Sequence, residues 1–205
     1  MAPPSLEQCR SILVTEGYSD LVVMAELLES LGIADLVFIQ QLGGKANLRA
    51  KLEVLLSPSV LASKSAIGVV VDADSSPAAT GRSVAETLRS LTGRNVSHGE
   101  WSPGQPRVGF YLLPDAHTAG ELETLVWRAW SSRPEEADAA ECVQAFLGCM
   151  EAAGRSAKSR DKALVGAMLS VLWDDDPRLG PAVRGRAVGL NHAAFDGLRA
   201  FLSVL

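Results

Sequence analysis

The stretch Ala66-Ile67-Gly68-Val69-Val70-Val71 constrains the fold more than any other part of the chain. It carries no polar side chain, is rich in β-branched residues and runs straight into Asp72-Ala73-Asp74. A continuous apolar strand, without alternation, belongs in a sheet covered on both faces, the habit of parallel sheets. Parallel neighbours cannot be joined by a tight turn and need helical crossovers. The sequence supplies them. Ser11-Ile12-Leu13-Val14-Thr15 reads as a strand ending at Glu16-Gly17. Ser19 is an N-cap candidate for a helix carrying Leu21, Met24, Leu28 and Leu31, stopped by Gly32. A second strand is expected at 36–40, before Gly43-Gly44, and a second helix on Leu48, Leu52, Leu55 and Leu56, closed before Pro58. The third strand, 66–71, is followed by a helix at 84–91. A fourth strand at 108–113 ends at Pro114, and Leu122, Leu125, Val126 and Ala129 mark the next helical face.

This order predicts an α/β fold, a parallel sheet flanked by helices and wound by right-handed crossovers. Residues 94–107 read as an irregular excursion. From 135 onward the pattern is helical: one helix at 135–152, another carrying Leu164, Met168, Val171 and Leu172, and a last one carrying Phe195, Leu198, Leu202 and Leu205. The expected organisation is an α/β unit over 8–133 with a C-terminal helical extension, 134–205, packed on it. Hydrophobic residues make up 47% of the 205, enough for a sizeable core. Asp174-Asp175-Asp176 reads as a solvated turn.

Composition narrows the function classes. A net charge of −5 excludes a globally basic nucleic-acid coat protein but leaves room for a local basic groove. No apolar run approaches the ~18 residues of a membrane span, and Met1-Ala2-Pro3-Pro4-Ser5-Leu6-Glu7 lacks the basic-then-apolar order of a signal peptide. The three cysteines, Cys9, Cys142 and Cys149, are too few and odd in number for a disulfide framework and fit a reducing cytoplasm. Cys142 and Cys149 share a helical face and read as two small core residues.

Chemistry is expected where parallel strands end, because their carboxyl ends all point to one edge of the sheet. The first strand ends at Glu16, with Asp20 a helical turn later; the third ends at Asp72 and Asp74; the fourth is followed by Pro114-Asp115 and then Gly120-Glu121-Leu122-Glu123. Alternation along an extended segment directs Asp72 and Asp74 to the same side. Converging carboxylates repel one another unless a positive group joins them, and their hard oxygens suit Mg²⁺ or Mn²⁺. Such ions can hold a phosphodiester and activate water.

A strand ending in Glu-Gly with an acid four residues after the Glu, and a later strand ending in Asp-x-Asp, resembles the Toprim signature. Here these are Glu16-Gly17-Tyr18-Ser19-Asp20 and Asp72-Ala73-Asp74. Gly43-Gly44-Lys45-Ala46-Asn47-Leu48, the Pro114-Asp115 turn and Gly120-Glu121-Leu122-Glu123 make the chain similar to stand-alone Toprim-like proteins related to OLD-family nucleases. The resemblance implies a Toprim-like sheet over roughly residues 10–130. It implies Glu16 as a metal ligand or general acid/base, Asp72 and Asp74 as ligands of the divalent ion, and Asp20, Glu121 and Glu123 as ligands of a second. It also implies a lysine near the end of the domain, Lys158 or Lys162. The function so implied is metal-dependent phosphodiester hydrolysis on DNA or RNA. The alternative is a non-enzymatic module that binds nucleic acid or protein, including a defence component activated by a partner. A homodimer is compatible with either.

The remaining candidates are weaker. Gly43-Gly44-Lys45 lacks P-loop spacing; its glycines suit a tight turn, with Lys45 or Asn47 available to the acidic edge. Arg49 and Lys51 read as a solvated helix face. Ser75-Ser76 precede a helix as capping residues. Arg155, Lys158, Arg160 and Lys162 are the densest basic cluster, suited either to a polynucleotide backbone or to an exposed helix start. His98, His117 and His192 are scattered, and Trp127 and Trp130 read as packing residues. Tyr18 and Tyr111 are the only tyrosines, and neither has motif support as a covalent nucleophile.

Overall fold

The computed structural model describes residues 5–44 and 47–205. Four strands, β1 (Ser11–Thr15), β2 (Val37–Gln41), β3 (Ala66–Asp72) and β4 (Arg107–Leu113), form a parallel sheet in the order β2-β1-β3-β4. The central strands β1 and β3 are buried along their whole length, as expected of apolar runs in a sheet covered on both faces, and they take Ser11, Thr15 and Asp72 at their ends in with them. The crossovers are α1 (Tyr18–Ser30), then α2 (Leu48–Leu55) with α3 (Pro58–Ser63), and then α4 (Pro77–Thr92). After β4 come α5 (Leu122–Ser131), α6 (Ala137–Ala152), α7 (Arg160–Leu172), α8 (Leu179–Arg184) and α9 (Asp196–Leu202).

The two faces of the sheet are covered by different parts of the chain. Ile12, Val14, Ile67, Val69 and Val71 point into a core filled by α2 and α4 through Leu52, Val84 and Leu88. On the other face, Leu13 and Val70 meet α1, α5 and the C-terminal helices in one apolar cluster that includes Phe195, Leu198 and Phe201. The helical extension is thus packed on the sheet and completes one of its faces. The last residue reaches the first strand, where the buried Ser11 hydroxyl donates to the Leu205 carbonyl.

The irregular 94–107 segment has a specific task. Trp101 bridges to Gly109 and His98 to Phe110, so the segment lies along β4 on the side away from β3. The Leu112 N–H donates to His98 Nδ1 at 2.9 Å, which assigns that histidine to the scaffold. A Cβ on Gly109 would lie 2.7 Å from the Glu100 carbonyl oxygen, so no side chain fits where the segment crosses.

Several sequence expectations are corrected. The first helix begins at Tyr18, with Gly17 rather than Ser19 at the N-cap position, because the Asp20 carboxylate turns back to accept the Gly17 N–H at 2.6 Å. The helix α3 was not expected; Pro58 closes one helix and opens the next at its N-terminal position, where a missing N–H costs nothing. Cys142 and Cys149 are exposed, not core: α6 buries Ala140 and Leu147 instead, two residues away and so on the opposite side of the helix. Trp127 and Trp130 do pack inside. Among the described residues, no helix is long and apolar enough to cross a membrane.

Candidate functional site

The carboxyl ends of β1 and β3, the start of α1 and the start of α5 meet at one edge of the sheet. Glu16 follows β1, and its carbonyl accepts the N–H groups of Gly43 at 3.1 Å and Gly44 at 3.3 Å. Both glycines have positive φ, 73° and 108°, so this turn excludes ordinary side chains there. Asn47 closes it, donating to the Gly43 carbonyl at 3.1 Å. Asn47 therefore serves the turn, whereas Lys45 lies outside the described residues.

Asp72 is the last residue of β3 and is buried. Its Oδ1 accepts the N–H of Leu122, the first residue of α5, at 3.0 Å. That contact depends on Gly120. Its N–H and carbonyl pair with Asp74 at 2.8 and 2.9 Å, an antiparallel bridge that brings the Gly120-Glu121-Leu122-Glu123 run against the end of β3. Gly120 has φ 149°, and a Cβ there would sit 2.4 Å from Thr124 Oγ1. The glycine of this motif is thus a docking joint, and the acids follow from it.

The joint also corrects one expectation. Strand conformation ends at Asp72, and Asp74 sits in the left-handed region with φ 52°. The alternation that would direct both aspartates to one side stops before Asp74, which is exposed. Glu123, in contrast, lies in the first turn of α5 and is buried beside Asp72.

The electrostatics record the convergence. Burial, followed by the charges of Asp20, Glu16 and Glu123, pushes Asp72 up to about 8, while the Leu122 N–H pulls the other way. Burial also raises Glu123 to about 7; Lys162 and a backbone N–H oppose this, while Glu121 and Asp20 add to it. Glu16, Asp20, Asp72, Glu121 and Glu123 therefore form one coupled acidic group.

Of the two candidate lysines, Lys162 makes the contact. Its Nζ lies 2.7 Å from Glu121 Oε2. Burial lowers its pKa, but the Glu121 hydrogen bond and the charges of Glu123, Glu121 and Asp72 outweigh that and leave it raised. Lys158 is exposed on the loop before α7. Ser159 explains the choice: as N-cap of α7 it accepts the Lys162 N–H at 3.2 Å, and it donates its hydroxyl to Glu121. Thr124 accepts the Glu121 N–H at 3.0 Å and donates to Asp161. Ser159, Thr124 and Asp161 went unnoticed in the sequence. The available signal was Ser159 itself, an N-cap type placed just before an apolar helical pattern.

Other candidates lie in supporting roles. Asp115 is held low, to about 2: burial would raise it, but the N–H groups of His117 and Thr118 and the Arg128 guanidinium, 3.0 Å away, prevail. His117 thus contributes its backbone to that turn. Arg160 pairs with Glu151 on α6, and Asp176 with Arg178. Tyr18, the first residue of α1, is 54% exposed beside the acidic edge.

Residues 10–205 match the family described as "Protein of unknown function (DUF3226)". The chain belongs to that family. Because the match runs from β1 to the final residue, the DUF3226 unit includes both the acidic edge and the helices that supply Ser159 and Lys162. No curated protein and no solved structure matches the chain.

The donor set can be tested against a divalent cation. The carboxylate oxygens are hard donors, and Asp72 and Glu123 are raised towards neutrality, first by burial and then by neighbouring carboxylates. Among the described residues no three His, Cys, Asp or Glu side chains already stand as a metal-holding group. Carboxylate oxygens are the donor type that Mg²⁺ and Mn²⁺ take.

Proposed function

We propose that this DUF3226 protein is a Toprim-like phosphodiesterase acting on DNA or RNA with Mg²⁺ or Mn²⁺. The observation that carries the reading is the burial of Asp72 at the end of β3, coupled to Glu16, Asp20 and Glu123. In this reading Asp72, Glu16, Asp20, Glu121, Glu123 and Asp74 would hold the ions, which would supply a more acidic bound water and positive charge against the phosphodiester. The chain's own residues do the rest. The Leu122 N–H fixes Asp72. Ser159 and Lys162 hold Glu121, and the Lys162 ammonium offers positive charge to an incoming phosphate. Glu16 holds an ion or moves a proton.

One observation favours the second reading, a non-enzymatic module that binds nucleic acid or protein. Lys162 already places a cation on Glu121, as an ion would. Incubation of purified protein with labelled DNA, RNA and a chromogenic phosphodiester in Mn²⁺ separates the two. Cleavage that disappears in Asp72→Asn supports the enzyme. Retention of labelled nucleic acid with no cleavage of any substrate supports the binding module and refutes the phosphodiesterase.

A further inference from the structure

Independently of the acidic edge, α6 presents a second apolar stripe that stays exposed among the described residues. The helix packs Ala140 and Leu147 inward. On the side turned away from them, Ala139, Cys142, Phe146, Cys149 and Ala153 recur at spacings of three and four residues, and all are exposed. Phe146 is 54% and the neighbouring Met150 38% exposed. Spacing of this kind is a helix-pairing seam rather than scattered surface apolarity.

The charge around the seam selects its occupant. The start of α6 is acidic, with Glu135, Glu136, Asp138 and Glu141. The loop after it is basic, with Arg155 and Lys158 both exposed. A parallel copy would set acid against acid. An antiparallel copy sets each acidic start against the partner's basic end and also opposes the helix dipoles. The seam is therefore self-complementary about a two-fold axis.

We propose that α6 is the interface of a two-fold homodimer, with the α6 helices of two copies packed antiparallel. Centring the axis between Ala145 and Phe146 places Cys142 opposite Cys149 of the other copy and Glu136 opposite its Arg155. Gly148 and the small alanines let the two backbones approach.

The native cysteines report this register directly. Mild oxidation of the full chain with copper-phenanthroline joins two thiols, releases two protons and passes two electrons to the oxidant. A covalent dimer is expected from wild type and is lost in both Cys142→Ser and Cys149→Ser. Sedimentation equilibrium of the reduced chain should give a dimer. Phe146→Glu, a substitution at an exposed site, should weaken it about a hundredfold or more, since two central aromatic anchors are lost. Far-ultraviolet circular dichroism should be unchanged. Glu136→Arg should weaken association, and Glu136→Arg with Arg155→Glu should restore it. A monomer at high concentration overturns the proposal, as does a dimer indifferent to Phe146→Glu. Cross-links that survive either single cysteine substitution overturn the antiparallel register.

Discussion

Replacing Asp72 by Asn should stabilise the ion-free protein at pH 8, although it removes a charged residue from a well-ordered strand end. Asn keeps an oxygen for the Leu122 N–H, which Asp72 accepts at 3.0 Å, but it cannot ionise. Asp72 is raised from 3.8 to about 8. A carboxyl raised by folding holds its proton more tightly in the native state than in the unfolded one. Its contribution is therefore fully present below about pH 4 and falls away as pH climbs through about 8. The ceiling on that loss at pH 8 is about 6 kcal/mol. Relaxation of the neighbouring acids and entry of water reduce the expected gain for Asn to about 1–3 kcal/mol. At pH 5 the native carboxyl is still protonated, so the gain should shrink to below about 1 kcal/mol. Urea denaturation of both proteins at pH 5 and pH 8, with chelator present, measures the difference. Equal stability at pH 8 refutes the reasoning, and so does a gain of the same size at both pH values. Adding Mg²⁺ or Mn²⁺ should stabilise the wild type and leave Asp72→Asn nearly unmoved, which thermal melts can follow.

Two other substitutions probe the scaffold and the site. Lys162→Met removes a half-exposed ion pair, so stability should change by less than about 1 kcal/mol, while phosphodiester turnover should fall about tenfold or more; steady-state kinetics alongside denaturation would expose a purely structural role. Gly109→Ala forces a methyl to 2.7 Å from the Glu100 carbonyl oxygen and 2.9 Å from the Trp101 ring, and should cost about 1–3 kcal/mol in urea denaturation.

The strands were legible because their signal is local: an apolar run of the right length, closed by Gly, Pro or acid, needs no knowledge of its neighbours. The acidic edge was legible because all strands of a parallel sheet end on one side, so strand order alone brings Glu16, Asp72 and Glu123 together. The extended backbone expected at Asp74 is not found because that residue is held by the bridge to Gly120, 46 residues later in the chain, and not by its own segment. The choice between Lys158 and Lys162 turned on where α7 begins, and helix starts are among the features that sequence patterns place least well. Cys142 and Cys149 were placed in the core because spacing reveals that a stripe exists, whereas burial of one stripe or its neighbour depends on the helix packed beside it.

The hydrogen bond between Ser11 and Leu205 carries a consequence for the order of folding. Part of one side of the sheet is closed by Phe195, Leu198 and Phe201, far along the chain from the strand they help to cover. Contacts of such sequence separation are the slowest kind to form, so a partly folded chain keeps an apolar surface open until they are made.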